Sequence, residues 1–144
     1  MKNTEKAVMR FSNGEILKGY LKEFSPDLAK LTLKEAGTDK AHLVRIEDVK
    51  AVFFVRSFEG DNAYKEKKSY GVSKPKGRKV YIKFKDGESM VGFLDGEVPW
   101  DKGFFLSKQD HEKKGFFLLP VDEDANNIKV FVVVSSVDYV TVVP

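Results

Sequence analysis

The chain has 144 residues, 33% of them charged and 42% hydrophobic, with no cysteine. That is enough for one domain or for two of about 65–70 residues, and it excludes disordered composition, disulfides, thiolate metal sites and cysteine nucleophiles. Net charge is +3 but unevenly spread: 11 basic and 8 acidic residues over 1–56, 7 and 3 over 57–79, and 7 and 11 over 80–144. This asymmetry suits either an anionic partner for the first part or attraction between the two halves.

In chain order, Ala7, Met9 and Phe11 alternate with Val8 and Arg10, the period of two that marks a half-buried strand. Asn13-Gly14 then offers the positive φ of a tight hairpin turn, and Leu17, Gly19 and Leu21 define one face of a second strand. Glycine in mid-strand marks a bend or a close backbone approach. After the Ser25-Pro26-Asp27 turn, Leu31-Thr32-Leu33 reads as a third strand, residues 42–46 as a fourth and 50–56 as a fifth.

The same sequence of signals then returns. At an offset of 73, Phe11, Gly14, Glu15, Gly19 and Leu21 meet Phe84, Gly87, Glu88, Gly92 and Leu94. Met9, Arg10, Leu17 and Tyr20 meet Ile82, Lys83, Met90 and Phe93 in the same alignment. At the far ends the offset is 88, with Val49 and Val52 meeting Val137 and Val140, so the second copy carries 15 extra residues between Asp95 and Asp122. Its remaining strands are expected at 103–106 with 115–119, at 128–134 and at 137–143. The expected fold is all-β: two tandem five-stranded barrels of Sm-like or SH3-like type, 1–57 and 79–144, joined by a basic linker at 58–78.

Two resemblances follow from these residues. Phe11-x-Asn13-Gly14-Glu15, Gly19-Tyr20-Leu21 with Phe24, Leu31-Thr32-Leu33 and Val44-Arg45-Ile46 with Val52 resemble a bacterial Sm-like barrel in outline. The RNA-binding residues of that family do not carry over: the loop at 25–30 lacks the Asn, and Ile46 rather than Gly follows Arg45. Most of the chain is similar to an uncharacterised bacterial domain family of the deltaproteobacterial type. The segments carrying this are 50–61, Tyr64 with 65–68, 80–92, Gly115-Phe116-Phe117-Leu118-Leu119-Pro120, and Asn126-Asn127 before 130–133. That resemblance implies no activity.

Catalytic and metal motifs are weak. His42 lies near Asp39, and His111 sits between Asp110 and Glu112, but no Gly-x-Ser-x-Gly elbow accompanies either. Asp122-x-Asp124-x-Asn126 begins like a calcium loop and fails at Asn127 and Val133, where Gly and a bidentate acid are needed. No phosphate-binding or dinucleotide glycine motif is present. We therefore expect no enzyme, no metal and no cofactor.

Two binding surfaces are expected instead. Trp100, Phe104, Phe105, Phe116 and Phe117 crowd the second copy and form a candidate patch for a protein partner or a second copy of the chain. Arg56, Tyr64, Lys65, Lys67, Lys68, Lys74, Lys76 and Arg78 interleave charge with rings, the pattern that single-stranded nucleic acid requires. A solvated lysine-rich linker explains the same residues more plainly. Protein contacts at barrel edges are the preferred function and nucleic-acid binding the alternative. The longest apolar runs, 51–55 and 130–134, are five residues each against the ~20 of a membrane span. The start, which carries an acid and leads into no apolar signal core, adds the expectation of a cytoplasmic location.

Overall fold

The computed structural model describes residues 4–22, 24, 29–38, 40–56, 58, 78–95, 114–121 and 127–143. Among these residues ten strands form: β1 (Thr4–Phe11), β2 (Ile16–Lys22), β3 (Lys30–Glu35), β4 (Ala41–Arg45), β5 (Val49–Val55), β6 (Lys79–Phe84), β7 (Ser89–Asp95), β8 (Gly115–Leu119), β9 (Asn127–Val133) and β10 (Val137–Val142). The fold is all-β, as the alternation predicts. Among the described residues no helix is long and apolar enough to cross a membrane.

All neighbours pair antiparallel in a single sheet, in the order β10-β6-β7-β8-β9-β5-β1-β2-β3-β4. Each half repeats one pattern, fifth strand beside first, then second, third and fourth. Two separate closed barrels are not what the strand pairing gives. Instead β5 of the first half pairs with β9 of the second, Ala51 opposite Val132, Val52 opposite Phe131 and Phe53 opposite Val130, and the halves merge into one open sheet.

The local reasons are legible residue by residue. In both hairpins glycine takes a positive φ, +97° at Gly14 and +98° at Gly87. Each turn closes with the same bonds: Phe11 N–H donates to Glu15 O and Phe84 N–H to Glu88 O, both at 2.9 Å. Asn13 Oδ1 accepts from Glu15 N–H, and Asp86 Oδ1 from Glu88 N–H, also at 2.9 Å. The mid-strand glycines mark close approach: a Cβ on Gly19 would stand 2.1 Å from Lys34 O, and one on Gly92 2.9 Å from Leu119 O. The connection after the fourth strand is a 3₁₀ turn in both copies, Ile46–Asp48 and Val134–Ser136. Residues 103–106, expected as part of a strand, lie outside the described residues.

Two hydrophobic cores form, and neither belongs wholly to one half. The first gathers Met9, Leu21, Leu33, Val44, Val52 and Phe54 with Phe131 and Val133 of β9. The second gathers Ile82, Phe84, Phe116, Leu118, Val130 and Val132 with Ala51 of β5. β5 and β9 thus bury both faces, which is why residues 51–55 and 130–134 are unbroken apolar runs.

Candidate functional site

The seam between the halves is clasped by Lys50. β5 bulges at this residue: Ala51 pairs with Arg10 and Val49 with Phe11, leaving Lys50 unmatched. The bulge turns its side chain toward the second half, where Lys50 is 5% exposed. Its Nζ donates to Asp86 at 2.8 Å and to Glu88, both on the β6–β7 turn. It also stands 4.7 Å from the centre of the Phe84 ring. Arg10 adds a looser contact to Glu88 at 3.7 Å. The hydrogen bond from the Lys50 ammonium holds the carboxyls of Asp86 and Glu88 below their ordinary range. Behind the clasp, Ser136 Oγ lies 2.7 Å from Val133 O and 3.0 Å from Lys50 O, so one hydroxyl serves carbonyls of both halves.

A cleft of about 360 Å³ opens beside this clasp, lined by Ser12, Lys50, Lys85, Asp86, Ser135 and Ser136. Of its two lysines, Lys50 is engaged with Asp86 and Glu88, and Lys85 is tied to the opposite wall through its backbone N–H, which donates to Ser136 O at 2.9 Å. Around Lys50 its chemistry is that of a joint between two halves, with that ammonium neutralised in place.

The outer edges of the sheet differ from the seam. Among the described residues β4 and β10 each pair on one side only. On β4, Leu43 is 69% exposed, and on β10 Tyr139 is 47% exposed, its ring tilted against that of Tyr81 at 6.2 Å. Arg45, on the β4 rim, hydrogen-bonds Glu47, which lowers the Glu47 pKa and raises that of Arg45. His42 Nε2 lies 2.9 Å from Glu35 Oε1 on the neighbouring strand. The acid beside His42 is thus Glu35, and the pair sits toward this edge, not in the cleft. Among the described residues no group of three or more His, Asp or Glu is arranged to hold a metal ion.

The residues singled out from sequence scatter. Phe116 is 1% exposed and packs in the second core, so it is not available to a partner. Phe117 is partly buried against Phe24, Phe54 and Phe131, at ring distances of 5.9, 6.3 and 5.1 Å. Both were expected on a surface patch; the second core and the seam absorb them because β8 pairs with a strand buried on both faces. Trp100, Phe104 and Phe105 lie outside the described residues, as do Tyr64, Lys65, Lys67, Lys68, Lys74 and Lys76, and the broken calcium pattern at 122–126. Arg56 follows β5, where its backbone O accepts from Lys6 Nζ at 3.3 Å, and Arg78 precedes β6, where its O accepts from Leu94 N–H. The sequence reading missed Lys50. Its signal was available: a lysine next to a run that is apolar on both faces of its strand.

Comparison with curated proteins finds no match, and comparison with solved structures finds none. The profile of one family, a family of unknown function (DUF6982), matches residues 3–144. The two copies of the repeat, the seam and both outer edges all fall inside that match, and the chain belongs to this family.

Proposed function

We propose that this chain is a non-catalytic binding and scaffolding module of the bacterial cytoplasm, made of two small barrels of Sm-like or SH3-like type fused at one edge, and that it works through protein–protein contacts at its two outer strands. The observation that carries this reading is the pair of one-sided edges, β4 and β10, each bearing a large exposed apolar side chain, Leu43 and Tyr139. An unpaired strand offers a row of N–H and C=O groups to an incoming strand, and an apolar side chain on the same strand adds contact area and register. The commitment of Lys50, the buried cation of the cleft, to Asp86 and Glu88 supports the non-catalytic half of the proposal.

The test is affinity capture from lysate with the wild-type chain and with a chain carrying Leu43→Lys and Tyr139→Lys together. Proteins retained by the first and lost by the second are expected. Identical capture by both sends the contacts elsewhere. Short single-stranded RNA and DNA serve as the competing arm. Binding that collapses with salt, and with Lys65, Lys67 and Lys68 changed to Glu, would put the nucleic-acid reading in its place.

A further inference from the structure

The two outer edges are not unrelated surfaces. Through the repeat, β4 is the counterpart of β9, and β10 is the counterpart of β5, at the offset of 88. β9 and β5 are the strands that pair at the seam. The chain therefore presents, at its two ends, the same two strands that it has already joined in its middle. We infer that copies of this chain associate head to tail, β4 of one pairing antiparallel with β10 of the next in the register of the inner seam. This deepens the edge-binding reading above and rests on it.

Transferring the seam by the offset names the contacts. Phe131 opposite Val52 becomes Leu43 opposite Val140 of the next copy, and Val132 opposite Ala51 becomes Val44 opposite Tyr139. Phe131 is fully buried at the seam whereas Leu43 is 69% exposed, the difference a covering strand would make. Val142 is likewise only partly buried where its counterpart Phe54 is 1% exposed. On the other face Ala51 and Phe53 become Tyr139 and Thr141. The aromatic ring has moved by one pleat, and the strand still offers one ring and one small side chain.

The charges are less favourable outside than inside. β10 bulges at Asp138 as β5 does at Lys50, since Val137 pairs with Phe84 and Tyr139 with Lys83. The clasp would therefore set Asp138 beside Asn13 and Glu15 of the next copy, where Lys50 meets Asp86 and Glu88. Lys83, the counterpart of Arg10, supplies attraction to Glu15 in return. The outer contact is accordingly weaker than the inner one and depends on concentration. Because its two faces differ, it is heterologous, and it propagates as a ring or an open chain according to whether the rotation closes.

Sedimentation velocity of the full chain from micromolar to near-millimolar concentration tests this. The average mass is expected to climb above the 16.3 kDa of one chain. Leu43→Lys and Tyr139→Lys should each hold the protein at one chain. An equimolar mixture of the two should form a species of two chains and nothing larger, because one good β4 meets one good β10. Asp138→Lys, which recreates the Lys50 clasp toward Glu15, should lower the midpoint concentration about fivefold or more. A wild type and an Asp138→Lys variant that both stay at one chain would overturn the inference, as would blocked variants that fail to complement. If capture from lysate is still lost with the edge substitutions in that event, edge binding survives and self-association does not. If capture is also unchanged, both fall.

Discussion

Position 50 and position 138 occupy the same bulge in the two copies of the repeat, and one is a buried lysine, the other an exposed aspartate. Position 131 and position 43 correspond in the same way, one a fully buried phenylalanine, the other a leucine in the open. The hairpin turns, the close-packed glycines and the 3₁₀ turns have meanwhile stayed alike. What differs between the halves is thus not what folds each of them but what each meets. Residues that satisfy a turn or a crowded backbone are held by local geometry, whereas residues on the fourth and fifth strands follow the chemistry of the neighbouring strand.

The sharpest break in the comparison comes from truncating the corresponding pair. Phe131 reaches across the seam to Phe24, packs on Phe117 of its own half and shares the first core with Phe54, and Phe131→Ala removes that ring from the cluster. Its loss is expected to cost about 3–5 kcal/mol. Leu43→Ala, measured on dilute protein where copies are apart, should stay within about 0.5 kcal/mol. Chemical denaturation of the two variants reads the difference directly. Comparable losses would mean that Leu43 supports its own half and that the seam is not where the energy lies.

A second comparison acts within the halves. Gly19 faces Lys34 O at a distance no methyl can share, and Gly92 faces Leu119 O with more room. Gly19→Ala must push β3 away from β2 and should cost about 2–3 kcal/mol, with Gly92→Ala nearer about 1 kcal/mol. Equal losses would imply that β8 yields no more readily than β3.

This contrast shows how much of the molecule was legible beforehand. The paired glycines, the Asn-Gly and Asp-Gly turns and the alternation at Ala7–Phe11 act over a few residues, and sequence displays them. The change of offset from 73 to 88 located the 15 extra residues for the same reason. The seam needs two segments some eighty residues apart, and only the unbroken apolar runs 51–55 and 130–134 announce it. Such a run reads equally as the core strand of an isolated barrel, because periodicity tells that both faces are buried and not by what. Lys50 was hidden more deeply still. Its partners lie 36 and 38 residues away, on a turn whose own geometry already explains an Asp at position 86.

The clasp offers the finest division between the copies. Asp86 and Glu88 both have folded-state pKa values below their unfolded ones, so their contribution is complete above about pH 5 and is lost as pH falls through the lower folded values. Lys50→Met removes the cause. It should cost roughly 1–2 kcal/mol near neutrality, less than a wholly buried pair because the carboxylates are 41% and 52% exposed. Its stability deficit should then shrink as the pH falls below about 5. Asp86→Asn is gentler, since the amide oxygen can still accept from Glu88 N–H as Asn13 does from Glu15 N–H. It converts the second turn into a copy of the first and leaves Glu88 as the remaining carboxylate on Lys50. A loss of about 0.5 kcal/mol is expected with Lys50 present and none in the Lys50→Met background. If Asp86→Asn costs the same in both backgrounds, the aspartate is there for its turn alone, and the clasp is carried by Glu88 and Arg10 on their own.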